Sequence, residues 1–200
     1  MKKKRNKERD NFFKINYLQS WRYIKEAKKF IFGIAILFFI SVIVGFLYQP
    51  VEVVDMILKY IEDILARTEG MASLELIIFI FFNNIQGGFF GMIFGIIFGI
   101  FPIIATFANG YIVGYVSSSV VSSSGVGSLV NLLPHGIFEL PAIFISFGLG
   151  LKLGTFAFYK SKAKHFREFF VNSLRVFVFI VLPLLIIAAI IEGSLIFLLK

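Results

Sequence analysis

Two titratable side chains stand four positions apart in an otherwise apolar stretch, and they are the clearest sign of chemistry in the chain. His135 and Glu139 lie in the segment LLPHGIFEL, residues 132–140. The i,i+4 spacing places them on one face of a helix, where an imidazole and a carboxylate can hydrogen-bond or share a charge. A carboxylate in hydrocarbon is costly unless it is paired, hydrated or protonated, so Glu139 is expected to have polar neighbours.

Amide side chains in two other apolar runs could supply those neighbours. Asn83, Asn84 and Gln86 lie in one run, and Asn109 lies in the next. Each amide offers two donors and an acceptor, which is enough to tie three helices together in a structural knot.

Three functional interpretations compete with that knot. A proton or solute pathway would use Glu139 as its titrating group, a metal site would use His135 and Glu139 as ligands, and a lipid-headgroup or peptide site would use the asparagines. Two protein ligands without a third make the metal site a weak case, so no metal and no cofactor is predicted. The candidate binding or proton-coupling residues are Asn83, Asn84, Asn109, His135 and Glu139.

The residues that enzymes use are not arranged for catalysis. The sequence has no HExxH motif, no Walker-type loop and no serine or threonine beside a positioned base. Cysteine is absent, which excludes disulfides, thiol chemistry, iron–sulfur clusters and Cys-ligated zinc. A non-enzymatic protein is therefore predicted.

The composition is that of an integral membrane protein. Hydrophobic residues make up 58% of the 200 residues, charged residues only 16%, and the mean hydropathy is +0.87, which is outside the range of soluble domains. The formal net charge is +8, but the cations crowd the N-terminus and one later segment rather than a folded face. This pattern favours an orienting role at the lipid bilayer over nucleic-acid binding.

The apolar runs predict an all-α fold, a polytopic membrane helical bundle of about five transmembrane helices with flanking amphipathic helices. A basic cytoplasmic amphipathic segment covers 1–29, and a single transmembrane domain covers 30–200. The spans are predicted at about 30–48, 72–101, 103–121, 134–157 and 174–198, with a basic loop before the last one. The run 72–101 would be about 45 Å long, so it must tilt, protrude or break.

The charged segments predict how the bundle sits in the membrane. Residues 49–70 form an amphipathic helix rich in acidic residues, whereas the N-terminus and the loop before the last span are basic. Because basic segments stay in the cytoplasm, the N-terminus is predicted to be cytoplasmic and the C-terminus outside.

Glycines at regular spacing predict close helix packing. Gly87, Gly91, Gly95 and Gly99 recur at every fourth position, and Gly110 with Gly114 and Gly150 with Gly154 repeat the spacing. Such rows let another helix approach the backbone closely, whether from the same chain or from another copy. A homo-oligomer is expected.

Two longer motifs resemble a known family. The run FFNNIQGGFFGMIFGIIFGIFPIIATFANGYIVGY, followed by LLPHGIFELPAIFISFGLGLKLG, resembles the stage II sporulation protein M family, closely over 80–154 and loosely over the whole chain. The signature is carried here by Asn84, Asn109, Gly110, Pro134, His135, Gly136 and Glu139.

That resemblance implies a multi-pass protein of the cytoplasmic membrane of a bacterium or archaeon. In spore formers, members act in engulfment as a membrane anchor for peptidoglycan-degrading partners. Archaeal members have no peptidoglycan to remodel, so a sporulation role is not carried over. The predicted function is a membrane scaffold or remodelling component with membrane or extracytoplasmic protein partners. The alternative is a small permease or channel subunit whose pathway passes Glu139 and the asparagines.

Overall fold

The chain folds into helices, and no strand occurs in the part of the chain that the structure describes. The computed structural model describes the backbone of residues 2–198 and the side chains of residues 11–129 and 136–195. The α-helices are α1 (Lys2–Leu47), α2 (Val51–Thr68), α3 (Ser73–Ile93), α4 (Ile100–Ser124), α5 (Leu133–Gly154), α6 (Lys162–Val176) and α7 (Leu182–Leu198).

In the described part of the chain, five helical stretches are long and apolar enough to cross a membrane, which confirms the predicted all-α bundle of about five spans. They are Asn11–Leu47, Ser73–Ile96, Ile100–Ser124, Gly136–Phe158 and Lys162–Leu195.

The first helix runs through the predicted boundary at residue 29 without a break. The predicted segment 1–29 and the predicted span 30–48 belong to the same helix, α1, which has 46 residues and is about 69 Å long at 1.5 Å per residue. Residues 11–29 contain neither glycine nor proline. Nothing in this stretch ends the helix before the apolar run begins.

The predicted span 72–101 breaks before its end. Helix α3 ends at Ile93, and the 3₁₀ turn Phe94–Ile96 follows. Phe98 and Gly99 then adopt positive φ angles of 50° and 71°, and α4 begins at the next residue. Pro102 follows the break. It lies in the first turn of α4, where its missing N–H breaks no helical hydrogen bond.

The predicted basic loop before the last span is helical. Helix α6 carries these cations and continues through the π-helical turn Phe177–Val181 into α7. Pro183 follows that turn and has no N–H to donate to the carbonyl of Phe179, and such gaps are commonly accommodated by a π turn. The fifth span therefore begins before the predicted residue 174.

Helix α5 occupies the centre of the bundle, where α1, α3, α4 and α7 pack around it. Its Ala142, Leu149 and Leu153 are fully buried, and Met92 of α3 and Leu185 of α7 are buried beside them. The polar residues of these helices are therefore held in place by a packed apolar layer.

Glycines permit the closest helix contacts in that layer. A Cβ on Gly150 of α5 would lie 2.7 Å from the carbonyl oxygen of Gly91 in α3. A Cβ on Gly110 of α4 would lie 2.6 Å from the carbonyl oxygen of Phe38 in α1. Real Cβ atoms do not come this close, so no larger residue fits without a shift. Similar crowding, all within one chain, occurs at Gly91, Gly95, Gly99, Gly114 and Gly154.

Gly87 takes no part in this packing within the chain. A Cβ on Gly87 would meet no atom within 4 Å. A four-residue repeat turns by about 40° per step around an α-helix, so its members cannot all face one neighbour. Gly88 faces α5 instead, where its Cβ would lie 3.6 Å from the Ser146 hydroxyl oxygen.

Candidate functional site

A polar cavity of about 660 Å³ lies among the spans. Helices α3, α4 and α5 form most of its wall, α7 contributes one residue, and α2 contributes Tyr60 and Ile64. The polar side chains on the wall are Asn83, Asn84, Gln86, Asn109, Glu139 and Glu192. The fold thus brings four of the five predicted site residues to one place.

Helix α3 supplies three amides to this cavity. The Nδ2 atom of Asn84 is buried and has no hydrogen-bond partner among the described residues. Asn83 and Gln86 are exposed, and they also line a neighbouring cavity of about 630 Å³ that extends beneath α2 to Asp63 and Arg67. The amides of α3 therefore line a polar route from the bundle interior toward α2.

Among the described residues, a serine forms a hydrogen bond that joins two spans beside the cavity. Asn109 donates from Nδ2 to the carbonyl oxygen of Ala105 at 2.7 Å, within its own helix. Beside the cavity, the buried hydroxyl of Ser146 in α5 donates to the carbonyl oxygen of Gly88 in α3 at 2.6 Å. Ser146 therefore joins α3 to α5 directly, whereas the donor of Asn109 does not leave α4.

Two carboxylates from different helices line the same cavity. Glu139 of α5 and Glu192 of α7 are both partly buried. Glu192 was not among the predicted site residues, although it is the only charged residue in the apolar run from 176 to 199. A lone acid in such a run was the signal that could have identified it.

The predicted pairing of His135 with Glu139 falls partly outside the described residues, because the side chain of His135 is not among them. The helix that carries both residues, α5, begins at Leu133. Within the described residues, no group of three or more His, Asp or Glu side chains is arranged to hold a metal ion.

The match to known families covers most of the chain. The family model described as Stage II sporulation protein M matches residues 19–195. The chain belongs to the stage II sporulation protein M family. No curated protein matches the chain, and no solved structure does.

The residues that carry the resemblance to the stage II sporulation protein M family cluster around the polar cavity. Asn84, Asn109 and Glu139 line it, and Gly136 lines a smaller cavity of about 280 Å³ that shares Asn109 and Glu139. Gly110 packs against the backbone of α1 near Phe38. The motif therefore combines the polar lining with the helix contacts that hold it.

A second polar cluster in this family member joins α1, α5 and α6, and the sequence analysis did not predict it. The Nζ atom of Lys152 is 3.8 Å from the centroid of the Tyr23 ring and 5.4 Å from that of Phe169. It also lies 3.7 Å from Oε2 of Glu26, and Lys152 is only 8% exposed. This buried cation holds three helices together through cation–π contacts and an ion pair.

Proposed function

We propose that this family member is a non-enzymatic membrane scaffold and that α2 recruits its partner. Helix α2 has two distinct faces. Val53, Ile57, Tyr60 and Ile64 line the cavities beneath it, and Ile57 is the one buried residue of the helix. The opposite face is exposed, and near the end of the helix its Glu62 and Leu65 also line a cavity of about 620 Å³ beside α3 and α7.

The exposed face of α2 carries two parallel rows at seven-residue spacing. Val51, Leu58 and Leu65 form the apolar row, with exposures of 71%, 42% and 61%. Asp55 and Glu62 form an exposed acidic row beside it, and Glu69, which directly follows the helix, is also exposed. This amphipathic surface is the observation that carries the proposal.

A basic amphipathic helix is the partner that fits these rows, because its apolar residues would cover the apolar row and its cations would face the carboxylates. A second copy of α2 would bring like charges together, so a different protein is favoured. With the N-terminus in the cytoplasm of a prokaryotic cell, as the basic residues predict, α2 lies outside the cytoplasmic membrane and faces an extracytoplasmic partner.

Site-specific photo-crosslinking in native membranes tests this role. A photo-reactive residue at position 58 is expected to capture the same partner in repeated preparations. Ile104 is the matched control, because it is also exposed, at 61%, but lies on α4. A lack of reproducible products at position 58, or identical products at both positions, would contradict the scaffold role.

The polar cavity supports a second candidate, a small permease or channel subunit. An acid and several amides inside a helical bundle are the groups that proton and solute pathways use. In liposomes, Glu139→Gln is expected to abolish proton or solute flux while the protein remains folded. Flux that is absent from the unmodified protein, or unchanged in the variant, would exclude this candidate.

A further inference from the structure

An apolar cavity of about 550 Å³ adjoins the polar one. Its wall comes from the end of α1, from α2 and from α4, and includes Val53, Ile57 and Ala108. Tyr60 and Ile112 line both cavities. The two cavities therefore meet at this pair of residues, beneath α2.

The two cavities differ sharply in chemistry. The polar wall has two carboxylates and four amides, and it includes no Lys or Arg among the described residues. The apolar wall consists of aliphatic, aromatic, proline and methionine residues. Each volume falls within the roughly 300–1,000 Å³ of typical small-molecule sites. A ligand that fills both cavities has one polar end and one apolar end, and a positive charge on the polar end is complementary to the acidic side chains of the polar wall.

We propose that the paired cavities bind one lipid whose headgroup carries a protonated amine. The amine lies in the polar cavity near Glu139 and Glu192, whose acidic side chains attract a positive charge. The buried Nδ2 of Asn84 donates to an ester or phosphate oxygen of the same headgroup. The acyl chain packs against the aliphatic and aromatic side chains of the apolar cavity.

This inference goes beyond the scaffold role, since the lipid lies beneath α2 and the protein partner on its exposed face. It also does not require transport, because a bound lipid occupies the cavity at equilibrium. Failure of the crosslinking or flux experiments would therefore leave the lipid site standing, and the reverse also holds.

Native mass spectrometry of the full chain tests the headgroup preference. Phosphatidylethanolamine and phosphatidylglycerol with identical acyl chains are titrated in parallel, and the amine lipid is expected to bind about tenfold more tightly, the effect of one charge-assisted hydrogen bond. Glu139→Gln and Glu192→Gln are each expected to remove most of that preference. Glu52→Gln, an exposed residue of α2 outside these cavities, is expected to preserve it.

The acyl-chain site has its own variant and control. Ala108→Trp fills the apolar cavity and is expected to weaken binding of both lipids by roughly tenfold or more. Ile104→Trp adds the same side chain to an exposed position of α4 outside that cavity and should leave binding unchanged.

Three results would overturn the lipid site. Equal binding of the two lipids would remove the amine preference, and unchanged binding in Ala108→Trp would remove the chain from the apolar cavity. If free ethanolamine bound as tightly as the lipid, and bound Ala108→Trp as tightly as the unmodified protein, the ligand would be a water-soluble amine and not a lipid. Thermal unfolding shows which variants fold, and because Glu139 and Glu192 lie on different helices, either one tests the headgroup if the other variant fails to fold.

Discussion

Substitution by alanine is expected to change the stability of the protein in opposite directions at two glycines on neighbouring helices, Gly150 and Gly87. Gly150→Ala would place a methyl group 2.7 Å from the carbonyl oxygen of Gly91 and 3.0 Å from Cα of Met92. These are backbone atoms, so α3 and α5 would have to separate. Gly87→Ala would place its methyl group where no atom lies within 4 Å.

The comparison isolates the packing cost. Both substitutions lie within α-helices and gain the same helix propensity, about 1 kcal/mol, which cancels between them. The remaining difference is the cost of overpacking, about 1–3 kcal/mol. For a chain of this size, that corresponds to a difference of roughly 2–12 °C in the unfolding midpoint.

Thermal unfolding of the two purified variants in one detergent, followed by circular dichroism, measures this difference. Gly87→Ala is expected to unfold at or above the midpoint of the unmodified protein, and Gly150→Ala clearly below Gly87→Ala. If Gly87→Ala lost as much stability as Gly150→Ala, the packing assignment of both glycines would be wrong.

Three further substitutions test individual contacts by the same unfolding measurement. Ser146→Ala removes the buried hydrogen bond to Gly88 and is expected to cost about 1 kcal/mol, so an unchanged midpoint would contradict the contact. Tyr23→Leu removes the ring beneath the Lys152 ammonium and should cost about 2 kcal/mol; a stabilised variant would refute the cation–π anchor. Tyr111→Phe removes the hydroxyl that donates at 2.5 Å to the backbone carbonyl oxygen of Tyr48, just after the end of α1. The free energy of unfolding is expected to fall by about 1 kcal/mol, and an unchanged stability would show that this hydrogen bond is not formed.

The sequence predicted the spans because each is an apolar run near the length that crosses a bilayer. It could not locate the break in the second run, because that break depends on the positive φ angles of Phe98 and Gly99. A run of about 30 residues only indicated that the helix must tilt, protrude or break.

The site was predictable where polar residues interrupt apolar sequence, as at Asn84, Asn109 and Glu139. Glu192 was missed because no amide and no second charged residue lies near it in the sequence to suggest a partner, and the fold brings it to the cavity. The same holds for Lys152 and Tyr23, which lie on different helices far apart in the sequence. Contacts between distant helices follow from packing, which local patterns do not encode.

The central claim is that a polar cavity exists inside the bundle while the protein is in a membrane. Because the chain has no cysteine, Asn109→Cys and Ile104→Cys can be compared without background. Both positions are exposed on α4, but only position 109 lines the cavity. A cationic, water-soluble methanethiosulfonate reagent is expected to modify position 109 much faster than position 104 in proteoliposomes, and more slowly once Glu139→Gln is added. Equal, slow modification at both positions would contradict a polar cavity at this site.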